Sequence, residues 1–97
     1  MLLIREVFTA KPGQASKLAK LFKKGFVDAS TRILTDRVGD YNTVIVEREV
    51  ADLATFERQM EEYSKPDPKM DPEVAKEMSQ YTEMYLTGRR EIFQIVE

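Results

Sequence analysis

A chain of 97 residues that is 42% apolar and 33% charged has the makeup of one folded domain, residues 1–97, and not of a disordered segment. Its net charge of −2 supplies no field that would draw it to nucleic acid or to an anionic membrane. With no cysteine and no histidine, it lacks disulfides, thiolate sites, the usual general base near neutral pH and the commonest metal and haem ligand, so no metal and no cofactor are expected; the lack of cysteine suits a cytoplasmic setting.

Residues 2–10 are rich in β-branched and aromatic types and stop at Pro12-Gly13, which predicts a strand. Leu2, Ile4, Glu6 and Phe8 share one of its faces; Leu3, Arg5, Val7 and Thr9 share the other. Arg5 and Glu6 also break the apolar run, leaving it too short for a signal peptide or a membrane span. Residues 13–28 follow with a helical stripe of Leu18, Leu21, Phe22, Gly25, Phe26 and Ala29. Gly25 inside that stripe points to a close approach to the sheet. Lys17, Lys20, Lys23 and Lys24 fall outside the stripe and read as a solvated face, without the interleaved aromatics of a nucleic-acid site.

Thr31 to Val38 and Thr43 to Val50 read as a hairpin across the turn cluster Gly39-Asp40-Tyr41-Asn42. Asp52 is placed to cap a second helix whose stripe is Leu53, Phe56, Met60 and Tyr63. Residues 64–69 break it, and Asp71-Pro72-Glu73 restarts a third. That helix is expected to present Val74, Met78, Tyr81 and Tyr85, with Met84 alongside, and to stop at Gly88. Residues 91–96 then read as the last strand. The order β-α-β-β-α-α-β is the α+β, ferredoxin-like split βαβ plan, a four-stranded antiparallel sheet with its helices on one face. Either choice of parity leaves large apolar residues on the uncovered face. A second copy of the sheet is the simplest cover, which predicts a homodimer closing into a barrel.

Three stretches carry a resemblance. The first strand runs into Ala10-Lys11-Pro12-Gly13-Gln14 and a helix. Thr43-Val44-Ile45-Val46-Glu47-Arg48-Glu49-Val50 runs straight into Asp52-Leu53-Ala54-Thr55-Phe56. A strand closes the chain. In this order the sequence resembles the dimeric α/β-barrel superfamily, in particular its antibiotic-biosynthesis-monooxygenase and NIPSNAP-like branches. The resemblance implies a homodimer with a cavity between helices and sheet or inside the shared barrel. It further implies a cofactor-independent oxygenase or isomerase as one alternative activity. The Asn, Trp and His set of the haem-degrading members cannot be carried over, since Trp and His are missing.

No catalytic residue is singled out by the sequence. Five residues are candidates for ligand binding. Glu47 and Glu49 lie on one strand face, where paired carboxylates can act as acid and base, and inside a barrel they can meet Arg5, Arg32 or Arg37. The plainer reading of that set is a structural ion-pair network. Arg5 among apolar neighbours reads either as a ligand anchor or as a salt-bridge partner. Tyr81 and Tyr85, with Met78 and Met84, read as the lining of a pocket or as helix core. The function this supports is binding of a small apolar or aromatic molecule by a homodimer. A protein-assembly module that uses the open sheet face is the other alternative.

Overall fold

The computed structural model describes residues 1–26, 30–65 and 69–97. The positions of Ala29 in the first helical stripe, of the last two residues expected of that helix, and of residues 66–68 in the expected break lie outside them. Four strands, β1 (Leu2–Ala10), β2 (Arg32–Thr35), β3 (Thr43–Val50) and β4 (Tyr85–Gln94), form one antiparallel sheet in the order β2-β3-β1-β4. Helices α1 (Ala15–Gly25), α2 (Leu53–Tyr63) and α3 (Pro72–Met78) and a single 3₁₀ turn at Tyr81–Glu83 complete the described elements. The expected ferredoxin-like order and sheet are therefore present.

Local chemistry explains the corners. Lys11-Pro12-Gly13-Gln14 is a tight turn: Pro12 presets the second position, Gly13 takes φ +81°, and the Gln14 N–H donates to the Lys11 carbonyl at 2.9 Å. A type II turn needs a residue without Cβ strain at its third position, and glycine supplies it. Asp52 caps α2 by accepting the Thr55 N–H at 2.8 Å, and Asp71 caps α3 by accepting the Glu73 N–H at 2.8 Å. Pro72 sits at the first turn of α3, where its missing N–H costs nothing.

Several expectations need correction. First, β2 is half the expected length. The Asp36 side chain accepts the Thr43 N–H at 3.2 Å, so a carboxylate takes a place that a ladder carbonyl would have filled. The chain then swings out through Tyr41 and Asn42, both at positive φ. Second, the third helix ends at Met78, not at Gly88. Ala10 must find a partner on the β4 side of β1, and Tyr85 supplies it, with Leu86 as the extra residue of a bulge. Strand pairing therefore claims residues 85–90, which the sequence pattern assigns to helix and turn. Third, Gly88 is no helix stop; it lies opposite Phe8 in the ladder, and a Cβ there would meet the Phe8 ring at 3.2 Å. Gly25 does allow a close approach, but to α3 and not to the sheet: a Cβ would stand 2.7 Å from the Met78 sulfur.

The core fixes which face is which. Val44, Val46 and Ala10 pack with Leu18 and Phe22 of α1, and Ile4 and Val50 pack with Phe56 of α2. Leu2, Ile4, Phe8 and Ala10 of β1 therefore face the helices, and alternation sends Leu3, Arg5, Val7 and Thr9 to the open face. The α2 stripe is thinner than expected: Phe56 is buried and Met60 half-buried, but Leu53 and Tyr63 are exposed. Helix α2 rests on β3, α1 and α3 pack on each other, and the Phe26 and Tyr63 rings, 5.7 Å apart, join α2 to the end of α1. No described helix is long and apolar enough to cross a membrane.

Candidate functional site

The five candidate residues separate onto the two faces of the sheet. Arg5, Glu47 and Glu49 lie on the open face, and Tyr81 and Tyr85 lie on the helix side. They do not form one site.

On the open face, register sets four charges in a row across all four strands. Arg32 pairs with Glu47, Glu47 with Arg5, and Arg5 with Glu91. The signs alternate, and the side chains meet. The Glu47 carboxylate accepts from Arg32 and lies 3.4 Å from Arg5 Nε; Arg5 reaches Glu91 at 3.8 Å. Arg89 joins from the middle of β4, 3.5 Å from Glu91. Glu47 is the most enclosed member, with 8% of its side chain exposed. An enclosed carboxylate is tolerable because two guanidiniums face it. Glu49, two residues along, is exposed and has no ion pair among the described residues. The two glutamates therefore differ in surroundings, Glu47 held between guanidiniums and Glu49 facing outward. A row of Leu34, Ile45, Val7 and Arg89 borders the charges on one side, and Glu49, Leu3 and Phe93 border them on the other.

On the helix side, Tyr81 and Tyr85 join a ring cluster. Tyr81 lies 5.7 Å from Phe22, 5.8 Å from Tyr85 and 6.2 Å from Phe8, and Tyr85 lies 4.9 Å from Phe8. These separations and tilts are those of favourable aromatic pairs. Burial pushes the Tyr81 hydroxyl above its ordinary pKa; Tyr85 and Glu6 push the same way, and Arg90 opposes them. A phenol so placed is protonated at neutral pH and can serve as a hydrogen-bond donor.

Sequence reasoning missed the polar groups beside this cluster. Arg90 donates to Glu6 at 2.6 Å and lies over Phe56 at 5.1 Å. Arg48 is buried under α2, with its guanidinium 5.6 Å from the Phe56 ring and 5.7 Å from that of Tyr63, and it donates to Gln59 at 3.2 Å. Both arginines also reach the Met60 sulfur, at 3.9 and 3.8 Å. Arg48 has no ion pair with a described carboxylate; aromatic faces and an amide hold it instead. The signal was legible: Arg48 shares parity with Val44, Val46 and Val50, so a charge stood on the apolar face of β3. Two shallow surface grooves lie elsewhere, one between Ala15 and the 35–42 loop and one between the lysines of α1 and Glu77 and Glu83. No described group of three carboxylates is arranged to hold a metal ion.

An antiparallel β2-β3-β1-β4 sheet, helices on one face and charged and apolar residues on the other, defines a ferredoxin-like α+β protein. Solved structures of the same fold make the likeness specific. A NIPSNAP family protein from Agrobacterium tumefaciens superposes with a TM-score of 0.78 at 10% identity, over 99% of this chain and 93% of that one. An uncharacterized NIPSNAP domain protein from Burkholderia xenovorans gives 0.75 at 15% identity, over 99% and 95%. An antibiotic biosynthesis monooxygenase gives 0.66 at 11% identity, with both chains covered in full. The resemblance read from the sequence thus holds for the fold. No protein-family model matches the sequence, and no curated protein matches it.

Proposed function

We propose that this chain is a homodimer that binds a small aromatic molecule on the helix side of its sheet, beside Tyr81 and Arg90. The observation that carries the ligand reading is that Arg90 lies over the Phe56 ring and that its charge also reaches the Tyr81 hydroxyl. Tyr81 offers a protonated hydroxyl, Arg90 and Arg48 offer cationic planes, and Phe8, Phe56 and Tyr85 offer ring faces. A few placed polar groups in an aromatic surround suit a phenol or a naphthol. A cofactor-independent oxygenase or isomerase would ask this site for a base. A tyrosine whose pKa lies above the ordinary 10.0 is, like any phenol, a donor at neutral pH, and this suits binding better than proton abstraction. A second copy of the open face is the favoured cover for Leu3, Leu34, Ile45 and Phe93. A cytoplasmic location fits a chain without cysteine.

The test is an NMR titration of the labelled protein with 2-naphthol. Saturable shifts at Phe56, Tyr81 and Arg90, weakened several-fold by Tyr81→Phe, are expected. Shifts confined to other surfaces, or no saturation up to the solubility limit, would refute the reading.

A further inference from the structure

Two arginines on the helix side of the sheet end on one sulfur atom. Arg48 of β3 anchors its Nε on the Gln59 amide at 3.2 Å and sets Nη2 3.9 Å from Met60 Sδ. Arg90 of β4 anchors its Nε on Glu6 at 2.6 Å and sets Nη2 3.8 Å from the same sulfur. Both guanidiniums also stand over the Phe56 ring, at 5.6 and 5.1 Å. Each fork is thus held by an acceptor and a ring before its Nη2 meets the sulfur. A thioether is a weak acceptor, and an arginine keeps its charge and its donors at every accessible pH. Two held cationic donors therefore share an acceptor that uses little of their capacity. We propose that Met60 is an oxidation site, and that Arg48 and Arg90 hold the oxygen of its sulfoxide.

The oxidant is a hydroperoxide, in the simplest case hydrogen peroxide. A sulfur lone pair attacks one peroxide oxygen, and the S–O bond forms as the O–O bond breaks. The sulfur loses two electrons and the peroxide gains them. The proton on the transferred oxygen passes to the departing oxygen, which leaves as water. The arginines keep their protons and donate to the departing oxygen while negative charge builds there. Met60 is half-buried on α2, whereas Met78 and Met84 pack against the main core. Arg90 has 42% of its side chain exposed, which gives peroxide an approach from that side. An oxygen added to the sulfur closes the gap of 3.8–3.9 Å to hydrogen-bond range. Hydrogen bonds from a charged donor are roughly twice as strong as neutral ones. Methionine oxidation ordinarily puts a polar group among apolar ones and loosens the fold. At Met60 the effect is reversed, because the donors already stand there. Arg48 gains most, since it has no ion pair with a described carboxylate. The readout is stability, so neither the ligand nor the second subunit is needed for it.

The test uses the full chain carrying Met70→Leu. Hydrogen peroxide is added until peptide mass spectrometry finds one oxygen on Met60, with Met78 and Met84 unmodified. The Met60→Leu/Met70→Leu chain, treated alongside, accounts for Met1, which is 49% exposed. At one fixed protein concentration, oxidation of Met60 should raise Tm by roughly 4–8 °C and leave the reference unchanged. Methionine sulfoxide reductase should return Tm to its starting value. In Arg48→Gln and in Arg90→Gln the rise should shrink or become a fall; comparing oxidised with reduced chain within each variant removes the variant's own cost. Should a variant fail to fold, nitrogen-15 NMR of the Met70→Leu chain decides. The Nη protons of Arg48 and Arg90 should exchange several-fold more slowly after oxidation, and those of Arg58 at an unchanged rate. A Tm that falls on oxidation of Met60, a rise of the same size in the arginine variants, unchanged exchange at either arginine, or a Met60 that resists peroxide until the chain unfolds would overturn the proposal.

Discussion

Glu47 decides whether the charge row contributes to the folded subunit. Its carboxylate is almost enclosed and lies between Arg5 and Arg32. Glu47→Gln keeps the size of the side chain and removes the charge. Two guanidiniums then lose their shared anion, and Arg5 Nε, enclosed and without a hydrogen bond, loses its nearest countercharge. Removing one partner of a fully buried pair costs about 3–5 kcal/mol, and an exposed pair is worth about 0.2–1 kcal/mol. Arg5 is 31% exposed and Arg32 68% exposed, so water can take up much of the freed charge. The expected loss therefore lies between the two limits, at about 2 kcal/mol. In a domain of this size that lowers Tm by roughly 8–16 °C. Urea unfolding at two protein concentrations tenfold apart measures it, since subunit association adds a concentration dependence and the ion pairs do not. Arg32→Gln, which frees a mostly exposed cation, should cost less than half as much. A loss below about 0.5 kcal/mol for Glu47→Gln, or a larger loss for Arg32→Gln, would refute the reasoning.

Phe22 is fully buried and touches the rings of Phe8, Phe26 and Tyr81; Phe22→Ala should cost about 3–5 kcal/mol by chemical denaturation, a large share of the roughly 5–15 kcal/mol available to a domain of this size. Gly88→Val should cost about 1–3 kcal/mol, because its Cβ would press the Phe8 ring, itself 5.1 Å from the Phe22 ring; a neutral result would show that this part of β4 is looser than the ladder implies. Tyr81 has a raised pKa, so the folded state holds its proton more tightly than the unfolded state. The associated stability is fully present below the ordinary tyrosine pKa of 10.0 and is lost as pH rises from there through the folded value. Denaturation curves from pH 9 to pH 12 should therefore slope less steeply downward for Tyr81→Phe; parallel slopes would contradict the burial of that hydroxyl.

Some of this was written in single residues. Pro12-Gly13, Asp52 and Asp71-Pro72 each act through their own backbone or the next turn, so the first corner and the starts of α2 and α3 could be placed from sequence. The strand β3 was legible over its whole length because its apolar alternation has period two. The end of α3 was not legible. Met78, Tyr81 and Tyr85 keep helical spacing, and the three residues do reach the same core, but on a helix, a 3₁₀ turn and a strand. Local pattern cannot show that β1 needs a ladder partner along its far edge, and that long-range demand decided the backbone there.

The candidate site divides in the same way. Composition and spacing determined which residues carry charge or ring faces, and the absence of Cys and His narrowed the chemistry. Tertiary structure decided the company they keep. Arg5 and Glu47 are 42 residues apart, yet antiparallel register sets them side by side and adds Arg32 and Glu91 to complete the row. It also sends Tyr81 and Tyr85 to the opposite face, and brings Arg90 and Arg48 onto Phe56. The sequence alone thus determined the kinds of groups and the plan of elements, through interactions that span a turn or less. Register across the sheet required all four strands at once, because a shift of one residue would exchange the two faces.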